Sequence, residues 1–395
     1  MKPSRRRFLG TVAATGFALA ASGADTPPRL RVAVIGHTGR GDYGHGLDTM
    51  WEKLPETDLV AVADADAKGL AAAQQKLKVA RGFADYRKML AEAKPDVVAI
   101  GMRHVDQHRD VVLAVAAAGA RGIYMEKPFC RTPAEADEIV AACEQKNVKL
   151  ALAHRNRWHP VLQAIDKLVK EESIGRLLEL RARGKEDARG GSLDLWVLGS
   201  HLLNLICYFG GQPLGCSATV LQAGKPITRT DVKDGAEGLG PLAGNEVHAR
   251  FDMERGVPAY FDSVANAGDR AAGFGLQLIG TKGIIDLRVD QDPVAHYLAG
   301  NPHRPVKEPR AWVPISSAGI GQPEPVADMG KQVMTHLVGG RDLIAAIREN
   351  RQPLCSARDG RMTVEMIAAV FESHRLQGQR IAFPLAVRDN PLARL

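Results

Sequence analysis

The spacing of apolar positions changes along this chain. In its N-terminal part, short unbroken apolar runs alternate with stretches in which apolar residues recur every three or four positions. The runs at 31–36 (RVAVIG), 59–63 (LVAVA), 97–101 (VVAIG), 123–125 and 148–153 read as strands buried on both faces. The stretches at 43–54, 67–76, 107–118 and 132–145 read as helices. The last opens on Thr132, Pro133 and Glu135, an N-cap, a first-turn proline and an early acid. Such alternation predicts an α/β fold, with a doubly wound parallel sheet covered by helices on both faces.

Past residue 153 the pattern changes. A helix is expected over 161–170 and another over 202–209, but strands dominate, at 177–185, 218–223, 246–251, 259–264, 274–278 and 283–287. This predicts a second α/β domain on an open, mostly antiparallel sheet. One sheet face would pack on helices and the other would be free to form a homo-oligomer. The Gly- and Pro-rich stretches 224–244 and 301–328 read as loops, the second long enough to cover a site or a partner.

A length of 395 residues allows two or three domains. Hydrophobic residues at 45% and charged residues at 25% describe a soluble globular protein. No run approaches the roughly 18 apolar residues of a membrane span, which excludes a multispan protein. Cys130, Cys143, Cys207, Cys216 and Cys355 form no CxxC pair, and the histidines lack metal spacing, so neither a disulfide framework nor a metal site is expected.

The formal net charge of +7 would hint at an acidic partner if it were spread over the surface. Four of those charges are Lys2, Arg5, Arg6 and Arg7, followed by an apolar run over 8–21 and the small residues Ser22, Gly23 and Ala24. That is the layout of a signal peptide over 1–24. The string from Ser4 to Leu9 (SRRRFL) resembles a twin-arginine signal, predicting export to the periplasm. The remainder carries +3, with basic and acidic residues interleaved. No nucleic-acid partner is expected, and no membrane contact beyond export. A linker over 25–30 then leads into domains at 31–155 and 156–395.

The first strand ends at Gly36 and feeds a glycine-rich turn, His37-Thr38-Gly39-Arg40-Gly41-Asp42. A strand–turn–helix of this kind presents backbone N–H groups to a pyrophosphate, as in the Rossmann G-x-G-x-x-G fingerprint. Gly36 and Gly41 hold its outer positions. Thr38 stands at the middle one, with Gly39 beside it. Asp64 ends the second strand, where a ribose-binding acid belongs. Its charge would repel a 2′-phosphate, which favours NAD; Arg40 keeps NADP open.

Met125-Glu126-Lys127-Pro128 closes the strand at 123–125, after His104 and His108. With the segments 276–287 (LQLIGTKGIIDL), 342–353 and 359–384, it resembles the Gfo/Idh/MocA family of dinucleotide-dependent oxidoreductases, typified by glucose–fructose oxidoreductase and inositol dehydrogenase. The resemblance covers nearly the whole chain after the signal. It implies hydride transfer between a sugar or polyol hydroxyl and nicotinamide, with Lys127 at the substrate and the nicotinamide ribose, and His108 and Glu126 on the cofactor side. It also implies that Arg155, Arg157 and Trp158, in the link 154–160 (HRNRWHP), face the active site. On the residues alone, Lys127 at the carboxyl end of a strand can steady a developing alkoxide.

The family helix carries D-x-G-x-H. Gly199 and His201 match its last two fixed positions, but Val197 stands where the acid belongs. Asp194 lies seven residues before His201, two helical turns, and would share its face if one helix spans both. The expected catalytic set is therefore Lys127, His201 as base and Asp194 as its helper. Lys185, Glu186, Asp187 and Arg189 suit either a sugar pocket, with Lys185 on the substrate, or a polar loop. Two other readings stay open: a redox-neutral glycoside hydrolase or lyase using tightly bound NAD, and a non-catalytic binding protein on the same fold.

Overall fold

The structure, a computed structural model, describes residues 28–269 and 273–395. The expected signal peptide and the first half of the linker, 25–27, lie outside the described residues.

The first part runs β1 (Leu30–Ile35), β2 (Thr57–Ala63), α1 (Ala67–Leu77), β3 (Gly82–Phe83), α2 (Tyr86–Ala93), β4 (Val97–Ile100), α3 (His108–Ala117), β5 (Gly122–Met125), α4 (Pro133–Gln145) and β6 (Lys149–Leu152). The strands form one parallel sheet in the order β3-β2-β1-β4-β5-β6. That is the doubly wound Rossmann order, whose ligand crevice opens at the carboxyl ends of β1 and β4. Strands β4, β5 and β6 are buried at every position, which is why they read as unbroken apolar runs. Helix α4 starts as its sequence requires: the Thr132 hydroxyl accepts the Glu135 N–H at 3.2 Å, with Pro133 in the first turn.

One predicted helix is missing. Residues 43–49 are consecutive turns, and only Met50–Lys53 closes a 3₁₀ turn. Gly44 and Gly46 have φ of +66° and +96°, outside the helical region. A Cβ on Gly44 would come within 2.8 Å of the Gly101 carbonyl. The loop is thereby pressed onto the end of β4.

The second part runs α5 (Val161–Lys170), β7 (Leu177–Arg183), α6 (Ser192–Val197), α7 (Gly199–Gly210), β8 (Pro213–Gln222), β9 (Lys225–Pro226), β10 (Lys233–Gly235), β11 (Gly240–Leu242), β12 (Glu246–Met253), β13 (Pro258–Val264), β14 (Gly275–Gly280), β15 (Gly283–Arg288), β16 (Ala295–Ala299), β17 (Trp312–Ser316), β18 (Gly319–Ile320), α8 (Met329–Met334), α9 (Leu337–Glu349), α10 (Ala357–Arg375) and β19 (Ile381–Ala382). Eleven of these strands make one sheet, ordered β18-β17-β16-β15-β14-β7-β13-β12-β8-β19 with β9 added on β8. Every pairing is antiparallel except β7 with β13. The stretches expected as loops hold strands: β17 and β18 extend the sheet, and β10–β11 form a separate hairpin. Their Gly and Pro content hid the strand pattern.

Alternation along β12 buries Val247, Ala249 and Phe251 and turns His248 and Arg250 outward. The outward face is charged: His248 bridges Glu246 and Asp262, and the Arg181 guanidinium lies 4.8 Å from the Tyr260 ring centroid.

The two parts share a core. Helix α9 sets Ile347 and Leu343 against Gly122 of β5. Just before α10, the Leu152 N–H donates to the Cys355 carbonyl at 3.0 Å. Helix α10 is buried over most of its length, and several of its polar groups tie it to the neighbouring strands and loops. Ser373 accepts the Ala218 N–H of β8, and Glu365 accepts the Leu385 N–H and pairs with Arg388. One helix therefore closes both sheets.

Candidate active site between the two sheets

Lys127 lies two residues past the end of β5 and is 8% exposed. Its ammonium donates to the Val197 carbonyl at 2.8 Å, and its N–H to the Glu126 carboxylate at 2.8 Å. The position that lacks the family acid thus meets Lys127 through a main-chain oxygen. Glu126 is fully buried and its other oxygen pairs with His45 at 2.7 Å. Burial works to raise this carboxyl; the His45 hydrogen bond and the Lys127 charge overcome it and hold the group near about 2. The folded-state value is depressed, so Glu126 contributes stability above pH 4.5 that is lost as pH falls toward about 2. Glu126→Gln should flatten denaturant midpoints across that acid range.

His201 opens the N-terminal turn of α7 and faces the same cavity of about 160 Å³, with Arg155, Lys185, Phe274 and His336. Its ring lies 5.1 Å from that of His154. Burial, followed by the charges of neighbouring groups including Lys127 and Arg155, pushes its basicity well below 6.5. Burial, with the Lys127 charge adding to it and Glu126 opposing, holds His154 at about 3 and His336 at about 4. At neutral pH His201 is an uncharged imidazole able to accept a proton. Lys185 pairs with Asp290 at 3.2 Å.

Asp194 is not in this cavity. Helix α6 ends at Val197 and α7 starts at Gly199, with Leu198 between them at φ −121°. The seven-residue spacing therefore crosses a break, and Asp194 and His201 share no helix face. The Asp194 carboxylate accepts the Ser263 hydroxyl at 2.7 Å and the Glu186 N–H at 3.1 Å behind the site. Burial raises its pKa despite those bonds. The sign follows: this group favours folding most below pH 3.8, and that contribution shrinks as pH rises through the raised folded-state value. Asp194→Asn, which mimics the protonated acid, should match or exceed the native stability at pH 7 in urea titrations and leave turnover within a few-fold.

Three further residues of the expected site do not line this cavity. The Arg157 guanidinium lies 4.5 Å from the Tyr208 ring and 3.9 Å from Asp359, away from the cavity. Trp158 stacks on Tyr124 and donates to Asp342 at 2.8 Å within the shared core. Both belong to the 3₁₀ turn Arg155–Trp158, which sends Arg155 to the cavity and its neighbours elsewhere. His108 is fully buried, its ring nitrogens against the carbonyls of Pro128 and Met102 at 2.9 and 2.8 Å. It fixes the Lys127–Pro128 segment and lines neither cavity described here.

A second cavity, of about 220 Å³, lies at the carboxyl ends of β1 and β2, lined by Gly36, His37, Asp64, Asp85, Arg87 and neighbours. Asp64 is 2% exposed. It accepts the Thr38 hydroxyl at 2.7 Å, the Tyr43 hydroxyl at 2.8 Å, the Asp66 N–H at 2.9 Å and the Thr38 N–H. Burial opposes its ionisation, and these donors together hold its pKa below 3.8. Its acceptor sites are thus used within the protein in this conformation. Gly39 and Gly41 take φ of +79° and +89° in the turn, and Arg40 pairs with Asp106 at 2.5 Å.

Around the first cavity, buried polar atoms stand without a protein partner: His201 Nδ1, Arg155 Nε, Arg103 Nε, His336 Nε2 and Asp290 Oδ1. Such atoms ordinarily meet a ligand or water. Together with the crevice at the sheet's carboxyl edge, they fit a polar ligand such as a dinucleotide with its substrate. The sequence reading missed Arg103, Asp290, His336 and Glu237. Arg103 had a signal, a charged residue just past a buried strand, the same signal that marks Lys127.

Fold and crevice define the class, a two-domain protein with a Rossmann domain of the NAD-binding kind. Residues 30–154 match the Gfo/Idh/MocA family, described as an oxidoreductase family with an NAD-binding Rossmann fold. D-Apiose dehydrogenase of Paraburkholderia graminis is 26% identical over 364 residues, covering 89% of each chain. Levoglucosan dehydrogenase of Pseudarthrobacter phenanthrenivorans is 24% identical over 351 residues, covering 79% of this chain and 86% of its own. The solved structure of levoglucosan dehydrogenase with NADH and L-sorbose superposes with a TM-score of 0.72 at 20% identity, over 91% of this chain and 100% of that one. The family match thus lies on the Rossmann part, and the likeness to these relatives extends over most of the chain.

Proposed function

We propose that this chain is an NAD(P)-dependent oxidoreductase that moves hydride between a sugar or polyol carbinol and nicotinamide. The observation that carries it is the convergence of Lys127 and His201 on one cavity lined by buried polar atoms without a protein partner. The dehydrogenase relatives that span most of the chain support a sugar substrate. The turn around Gly39 and the cavity at Asp64 would hold the dinucleotide, which supplies the hydride acceptor when bound. Asp64 and Asp85 put two carboxylates on that wall against one cation, Arg87, which favours NAD.

In this mechanism Lys127 donates to the reacting hydroxyl and favours its alkoxide. His201 takes the proton as the carbinol is oxidised. Arg155 and Lys185 orient the remaining hydroxyls through charge-assisted hydrogen bonds. The reading of residues 1–24 as a twin-arginine signal further supports a periplasmic enzyme carrying its cofactor tightly bound. Denaturing the purified protein and identifying released nucleotide by mass spectrometry, with an NAD(H) titration beside it, tests the proposal. NAD or NADP recovered, or bound on titration, with NADH formed from one of a panel of sugars, supports it; no nucleotide by either route overturns it.

A further inference from the structure

The cavity holds two carboxylates that neither the family pattern nor the spacing of the sequence predicts, Asp290, which pairs with Lys185, and Glu237. We propose that Glu237, carried by the β10–β11 hairpin, is a positioning residue that presents its carboxylate to Lys127 from the far side of the cavity, in place of the acid missing at Val197. This inference rests on the oxidoreductase reading of that site.

Glu237 lines the cavity with Lys127, Val197 and His201. The other lining acids are engaged, Glu126 by His45 and Asp290 by Lys185. Among the described residues Glu237 forms no ion pair within 4 Å. Its backbone is held in an unfavourable state: φ is +56°, a left-handed conformation rare for glutamate. The hairpin fixes it there. Lys233 to Gly235 pair with Gly240 to Leu242, Leu239 is buried, and the Asn390 amide donates to the Pro241 carbonyl. The next residue, Gly238, rests on Asp106: a Cβ there would lie 2.6 Å from its carboxylate.

The charges around Lys127 make the role specific. It faces Arg103 and Arg155 as cations, Glu126 and Glu237 as acids, and the rings of His154, His201 and His336. Burial is the largest influence and favours the neutral amine; Glu126 and Glu237 oppose it. Arg189 and His104 also feel Glu237. Removing its carboxylate leaves Glu126 to oppose burial and the nearby cations at Lys127, while Asp290 on the same cavity stays paired with Lys185.

The test is competitive labelling of the full chain with acetic anhydride across pH, with acetylation of Lys127 read by peptide mass spectrometry. Glu237→Gln should move the Lys127 midpoint to lower pH by about one unit. Glu237→Asp should keep it near the native value. Glu237→Gly suits the left-handed backbone, so it should keep or raise the melting temperature while shifting the midpoint as Gln does. A midpoint unmoved in both Gln and Gly variants overturns the proposal. An NAD titration on the same variants reads the oxidoreductase proposal separately: wild-type protein that never binds nucleotide removes that reading, while the labelling still decides whether Glu237 acts on Lys127.

Discussion

Lys127→Met lowers the rate of NAD-linked sugar oxidation by about 10²–10³-fold, the loss typical of removing one donor aimed at a developing oxyanion. Methionine keeps the length and apolar stem of lysine, so the buried wall beside Val197 stays filled. The Val197 carbonyl loses the Lys127 donor, a modest cost beside the lost chemistry. Steady-state kinetics should show kcat and kcat/KM falling together, the mark of an interaction made in the transition state. A variant whose KM rises while kcat holds would make Lys127 a binding group only. His201→Ala should fall on the same side of that divide, because both groups face the one cavity.

Trp158→Ala costs about 3–5 kcal/mol of folding stability, the usual range for deleting a large buried aromatic. The indole is 4% exposed, stacked 5.8 Å from the Tyr124 ring centroid and packed against Gly339. Asp342 would lose one donor and keep two, the Leu354 N–H and Arg351. Urea unfolding measures the loss. The surviving folded fraction should keep its KM for the sugar. If instead KM rises steeply with stability unchanged, Trp158 touches substrate after all.

The contrast between these two residues shows what the sequence could reveal. Lys127 was legible because a buried parallel strand fixes where its next residue must emerge. The strands themselves were legible because burial on both faces leaves unbroken apolar runs. Trp158 was misplaced because four residues of a 3₁₀ turn point in different directions, and a linear motif does not record which. Asp194 failed for a related reason: spacing implies a shared face only on a continuous helix, and Leu198 interrupts this one. The helix over 43–54 was overcalled because its apolar spacing concealed two glycines in left-handed conformations. Glu237 and Asp290 lie outside the regular strands and helices that periodicity identifies, so their approach to the cavity depends on the completed fold.

Helix α10, which lies against both sheets, also sets an order of events. The strands of the Rossmann sheet leave the ribosome first, yet β6 gains its neighbour at Cys355 and Ser356 only near the end of synthesis. The sheet made earliest is the last to be sealed. A nascent chain must keep one apolar sheet face out of mischief for some 200 residues of further translation, about 10–40 seconds at ordinary elongation rates. Chaperone capture during that interval, and aggregation of any chain truncated before residue 357, are built into the topology.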